Sequence, residues 1–102
     1  MLFYFSYRRH GLPEDLPLLD VRVLSDPLYR QRDGDEEHRA AVRAHPLFAE
    51  YVERAVSLYE EHGALAVGCD WGRHRSWEVA HEAADRLGVE AVSFSEVAGL
   101  GL

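Results

Sequence analysis

An α/β fold, a single small sandwich with a mainly parallel central sheet, is predicted from three observations. Short apolar runs at residues 2–6, 16–24, 64–68 and 89–94 have the length and composition of buried strands. Segments between them repeat apolar residues every three or four positions, as helices do. Gly63 and Gly88 follow two of those segments, where helix C-terminal caps stand. The implied order is β-β-α-β-α-β, and such alternation pairs central strands in parallel and lays helices on the sheet. With 102 residues, 47% hydrophobic and 28% charged, the chain has ordinary globular composition and one core, so residues 1–102 form one domain.

The first strand, Leu2–Ser6, is aromatic-rich and leads into a basic turn, Tyr7-Arg8-Arg9-His10-Gly11. Residues 16–24 make a second strand, with Pro17 at its start where a missing N–H is tolerated. Asp20 and Arg22 stand two apart within it, on one face or edge, either as a buried pair shaping an anion site with Arg22 as a second phosphate donor or as a structural ion pair. Residues 28–34 form a polar loop carrying Arg30 and Arg32. A helix begins at Asp35, with Glu36 and Glu37 complementing its dipole, and Pro46 breaks or restarts it. Phe48, Val52, Ala55 and Tyr59 then draw one apolar stripe on a longer helix ending at Gly63. A third strand occupies residues 64–68, a helix spans Arg75–Leu87, and a last strand covers residues 89–94.

Composition excludes several classes. All eleven basic residues are arginine, so a Walker A nucleotide loop, which needs lysine to reach the β and γ phosphates, is ruled out. Cys69 is the only cysteine, which removes an intramolecular disulfide and a cysteine zinc cage, and a lone thiol suits a reducing compartment. No apolar run approaches the roughly 18 residues of a membrane span, and the start of the chain lacks the charge pattern of a signal peptide. A cytoplasmic location, no membrane partner and no cofactor are therefore expected. The formal charge is −7, distributed as +1 over residues 1–32 and −8 over the remainder, so any contact with nucleic acid must use a local patch. Arg8, Arg9, His10, Arg30 and Arg32 are the candidates for an RNA-facing rim; solvated surface arginine is the alternative for each.

The segment Cys69-Asp70-Trp71-Gly72-Arg73-His74-Arg75-Ser76 lies between the third strand and the next helix. In an open α/β sheet this is where ligands collect, because a helix N-terminus presents unpaired N–H groups and a partial positive charge. Gly72 allows the amides to turn inward, Arg75 can close on an oxyanion with a bidentate fork, and Ser76 can add a hydroxyl. A phosphate-like group is the expected ligand. Asp70 could accept hydroxyl or amine hydrogens and Trp71 could stack on a base or sugar, or pack on a neighbouring subunit.

Two further chemistries fit parts of this pattern. Cys69-x5-Arg75-Ser76 is the spacing of cysteine-dependent phosphatases, in which Cys69 would attack phosphorus and Asp26, Asp33 or Asp35 would protonate the leaving group. Against catalysis stand Gly68, where those enzymes usually carry histidine, and the carboxylate of Asp70. A buried structural cysteine is the simpler account of Cys69. His74, Glu78 and His81 share a helical face at metal-ligand spacing, but His74 is better suited to orienting an anion, and no metal is expected.

Ser6-Tyr7-Arg8-Arg9-His10-Gly11-Leu12-Pro13, Leu19-Asp20-Val21-Arg22-Val23-Leu24-Ser25-Asp26-Pro27, and Gly68-Cys69-x-x-Gly72-x-His74-Arg75-Ser76 together resemble the C-terminal domain of the RapZ family of RNase adaptors. The resemblance covers nearly the whole chain. It implies binding of an amino-sugar phosphate and a small regulatory RNA, homo-oligomerisation, and a P-loop ATPase domain that is not within this sequence. It carries the family's loop glycine and arginine onto Gly72 and Arg75. Leu28 stands at the family's ligand histidine, Asp70 at its loop threonine, Trp71 at a loop glycine, and Ser93-Phe94-Ser95-Glu96 at a histidine-arginine pair. The expected function is a regulatory domain that binds a phosphorylated small molecule or nucleotide, with an RNA adaptor role; a cysteine phosphatase is the enzyme alternative.

Overall fold

The computed structural model describes residues 1–11, 13–24, 35–71 and 74–94. Their element order is β1 (Leu2–Ser6), α1 (Tyr7–His10), β2 (Leu18–Asp20), α2 (Asp35–Arg43), α3 (Phe48–His62), β3 (Leu65–Cys69), α4 (Arg75–Leu87) and β4 (Ala91–Ser93). The four strands form one sheet in the order β2-β3-β1-β4, and every pairing is parallel. The α/β class and parallel sheet agree with the sequence. The order differs from β-β-α-β-α-β in two places: the basic turn winds into the short α1, and two helices separate β2 from β3.

The second strand is also shorter than its apolar run. After Asp20 the carboxylate takes the backbone N–H of Arg22 (2.9 Å), and Leu24 N–H donates to Val21 C=O (3.1 Å), so the chain turns instead of extending. Pro46 separates two helices as its missing donor requires, with Phe48 N–H bonding back to His45 C=O before α3 starts. Gly63 and Gly88 end α3 and α4, donating to the carbonyls of Tyr59 and Ala84. The latter cap draws Val89 N–H onto Ala84 C=O, which delays β4 to Ala91.

Period-two alternation divides the strands between two faces. Leu2 of β1, Leu19 of β2, and Leu65, Val67 and Cys69 of β3 meet Val42 of α2, Val52 and Ala55 of α3, and Val79, Ala80 and Ala83 of α4 in the main core. All three longer helices therefore cover one face. On the other, Phe3, Phe5 and Ala66 are buried beneath Tyr7, Leu16, Val92 and Phe94. Rings do the covering there: Phe94 meets Phe3 edge-on at 5.8 Å, and Phe5 meets Tyr7 at 4.8 Å.

Helix α4 is held to α2 by a buried charge. Glu78, 6% exposed, accepts from Arg43 Nη1 at 2.8 Å, and Arg43 Nη2 reaches Glu36 Oε1 at 2.7 Å. Glu78 and then Glu36 raise the Arg43 pKa, so the guanidinium stays charged. This bridge lies one turn behind the start of α4 and steadies the helix end that faces the carboxyl ends of the strands.

Gly68 sits where β3 passes under the aromatic face. A Cβ built there would lie 2.4 Å from Phe5 Cζ and 2.7 Å from Tyr7 Cε2, closer than atoms can approach. The absent side chain lets the edges of both rings approach the strand and leaves room for Tyr7 at the carboxyl end of the sheet. Gly68→Ala is expected to destabilise the fold by about 1–3 kcal/mol through overpacking. Chemical denaturation checks this, with an unchanged midpoint contradicting the close approach.

Candidate functional site

Three parallel strands end together: Ser6 is registered against Cys69, and Asp20 against Gly68. Residues just beyond these ends form the site. Ser6, fully buried, donates its hydroxyl to Asp70 C=O at 2.6 Å and accepts Arg9 N–H at 3.0 Å. Arg8 N–H also donates to Asp70 C=O (3.2 Å). The turn after β1 is thus stitched to the turn after β3. Ser6 and Tyr7 belong to this site and were not singled out in the sequence; a serine three residues ahead of an orphan N–H is the cap signal that marks Ser6.

The arginines converge from two elements. Arg22 is chelated by Asp20, with Nη2 at 2.6 Å from Oδ2 and Nε at 3.0 Å from both oxygens. Its guanidinium lies 4.2 Å from the centre of the Tyr7 ring. Arg75, the first residue of α4, donates from Nη1 to Arg22 C=O at 2.7 Å. Both then flank one carboxylate: Arg22 Nη1 is 3.9 Å from Asp70 Oδ1, and Arg75 Nη2 is 3.5 Å from Asp70 Oδ2. The expected Asp20–Arg22 pair forms, but both side chains are nearly half exposed, so it is a rim pair rather than a buried one.

The electrostatics follow from these contacts. Burial alone would raise the Asp20 pKa, but hydrogen bonds from the Arg22 side chain and backbone, with the charges of Arg22 and Arg75, outweigh it and hold the carboxyl below its usual range. The Arg22 pKa rises, chiefly through its bonds to Asp20. Burial, and then the Asp20 charge, push the Tyr7 phenol up, so it stays neutral and can donate.

The other loop residues have separate surroundings. Trp71 is 45% exposed, with the Arg8 guanidinium 5.2 Å from its ring centre. Cys69 is 2% exposed and donates its thiol to Ser76 Oγ at 3.2 Å. Ser76 is fully buried, its hydroxyl 3.5 Å from Phe5 C=O, so it braces β1 against α4 beneath the loop. His74 stands at the N-cap of α4, where its side chain makes no capping hydrogen bond, and stacks on His38 with ring centres 4.5 Å apart and planes 9° from parallel. Gly72 and Arg73 lie outside the described residues.

Of the RNA-rim candidates, Arg8 and Arg9 are exposed beside the site, while Arg30 and Arg32 lie outside the described residues. So do Leu28, Ser95, Glu96, and the candidate acids Asp26 and Asp33, together with the side chain of Asp35. The trio considered for metal faces different neighbours. His74 stacks on His38, Glu78 binds Arg43, and His81 stacks on Trp77 at 3.7 Å; among the described residues no three His, Cys, Asp or Glu side chains group as ligands. Among the described residues no helix is long and apolar enough to cross a membrane.

His10 closes the turn after β1 by accepting Ser6 N–H on Nδ1 at 3.0 Å, which requires that nitrogen to be unprotonated. Burial and then the Arg9 charge lower its pKa. The unfolded chain, titrating near about 6.5, binds more protons than the folded one below that pH, so stability is complete above it and lost as pH falls through the folded value. Denaturation midpoints are expected to fall between about pH 7 and pH 5. His10→Asn, which keeps an acceptor but cannot titrate, is expected to fall less; equal slopes would exclude His10 as the cause.

The sequence profile of the RapZ C-terminal domain matches residues 1–97. Relatives include a nucleotide-binding protein of Rubrobacter xylanophilus, 42% identical over 85% of this chain and 34% of that protein. Proteins of the same description from Thermobifida fusca (35% identical over 86% of this chain and 35% of that protein) and Leifsonia xyli (34% identical over 85% and 34%) also match. The chain spans about a third of the length of these curated relatives. Matched over nearly its whole length, it belongs to the RapZ C-terminal domain family.

Proposed function

We propose that this domain is a regulatory module that binds a nucleotide or similar phosphorylated small molecule at the carboxyl ends of β1, β2 and β3. The observation that carries the reading is the convergence of Arg22 and Arg75, joined by the 2.7 Å bond from Arg75 to Arg22 C=O, at the start of α4. A guanidinium pair at a helix N-terminus in an α/β sheet suits a phosphate group. Trp71, nearly half exposed and next in sequence to Asp70, suits a base or sugar face. The nucleotide-binding description of the relatives is consistent with this, although it belongs to proteins about three times longer.

The geometry favours binding over covalent phosphatase chemistry. An attacking thiolate needs an open line to phosphorus, whereas Cys69 is 2% exposed and directed to Ser76. Gly68, at the position those enzymes fill with histidine, is where even a Cβ meets Phe5 and Tyr7.

Adenosine monophosphate titrated by calorimetry tests the site. Arg75→Ala is expected to weaken binding by about tenfold or more, and Trp71→Ala by about fivefold or more through lost stacking. Melting curves establish that each variant is folded. Retained affinity in Arg75→Ala would dismiss the cradle.

An RNA-adaptor role extends this reading, supported by the exposed Arg8, which lies over the Trp71 ring, and by the exposed Arg9 next to it in sequence. A structured small RNA is expected to bind with affinity that falls steeply with salt, and replacing both arginines by glutamine should reduce the slope of log K against log salt by about 2. An unchanged slope would remove these residues from the interface. Self-association is the remaining expectation, read by sedimentation of the same preparation.

A further inference from the structure

The cradle contains its own anion. Asp70 is held by its backbone, whose carbonyl accepts from Ser6 Oγ and Arg8 N–H, and its carboxylate straddles the two arginines with one oxygen toward each, at 3.9 and 3.5 Å. Those are charge contacts longer than hydrogen bonds. Each arginine has a shorter attachment elsewhere: Arg22 to Asp20 at 2.6 Å, and Arg75 to Arg22 C=O at 2.7 Å. The Asp70 carboxylate is therefore neither the partner that orients Arg22 nor the acceptor that orients Arg75. It lies in the position that an anion bridging both guanidinium groups would take. Across Asp20, Arg22, Asp70 and Arg75 the formal charge sums to zero, so the two arginines alone do not give the cradle a net positive charge.

We propose that Asp70 sets the affinity threshold of the site, as a tethered anion that a phosphate must displace from between Arg22 and Arg75. The inference rests on the phosphate-cradle reading above and sharpens it. Exchange of one anion for another gains little by itself, because a dianion entering beside a fixed carboxylate meets like-charge repulsion. Binding then depends on what else the ligand carries. The next residue, Trp71, offers an exposed ring, with the Arg8 guanidinium 5.2 Å from its centre. The site thus holds bare phosphate weakly, and a phosphorylated compound overcomes the same penalty only through further contacts, such as a nucleotide makes with its flat ring.

Calorimetric titration of the whole chain with inorganic phosphate and with adenosine monophosphate tests this. Asp70→Asn removes the charge and keeps the shape, and it spares the backbone carbonyl that ties the two turns. It is expected to tighten both ligands by the same factor, about tenfold, because both displace the same carboxylate. Asp70→Ser, neutral but smaller, should reproduce the gain, and Asp70→Asn combined with Arg75→Ala should abolish it. Native-like melting curves for both single variants guard against misfolding. Unchanged or weaker binding in Asp70→Asn, with the native chain still binding the nucleotide, would overturn the role of Asp70 and leave the cradle intact. Absence of binding by the native chain and both single variants would instead overturn the cradle itself, and the inference with it.

Discussion

The hydroxyl of Ser6 is the contact on which the turns at the carboxyl end of the sheet depend. It is fully buried at the end of the strand that runs through the middle of the sheet, and it is used twice, donating to Asp70 C=O and accepting Arg9 N–H. A buried hydroxyl with both roles filled is firmly oriented, and the groups it serves belong to turns 64 residues apart in sequence. The first turn is thereby given its helical form and the second its position. Asp70 and Trp71 then emerge on the same side as Arg8, Arg22 and Arg75.

Around this tie the domain separates load from chemistry. Packing is carried by one face, where three helices cover alternate residues of the strands, and by a smaller aromatic layer on the other. Gly68 connects the two concerns. Its missing side chain admits Phe5 and Tyr7, and Tyr7 in turn lies under the Arg22 guanidinium. Cys69 and Ser76, which look like reactive residues in the sequence, face the interior and bond to each other. Their neighbours Asp70 and Arg75 face the cradle. Alternation along β3 and one turn of α4 suffice to send adjacent residues to opposite roles.

The charge pattern acquires meaning at this scale as well. A chain of net charge −7 is a poor general partner for anions. The arginines at the strand ends overcome this only locally, and Asp20 and Asp70 moderate even that. Asp20 holds Arg22 in place by chelation, whereas Asp70 makes looser contacts with both arginines. Two carboxylates with similar formal roles therefore differ in what their removal does to the site.

The α/β class, the parallel sheet and the ends of α3 and α4 were legible in the sequence, because each rests on local signals: apolar period, glycine caps, proline breaks. The pairing of Asp20 with Arg22 was legible for the same reason, being two residues apart. The length of β2 was not, since its apolar run continues past Asp20 and the chain is turned by the side-chain bond to Arg22 N–H and the bond from Leu24 N–H to Val21 C=O. The partners of Cys69 and Ser76 were equally hidden, because one motif fits an open thiolate or a buried thiol until burial is known. The sequence by itself determined which residue types could meet an anion and on which kind of loop. Only the tertiary structure decided that Asp70 lies between Arg22 and Arg75 and that Ser6 and Tyr7 support the site, because register and packing bring together groups from three strand ends that no spacing along the chain connects.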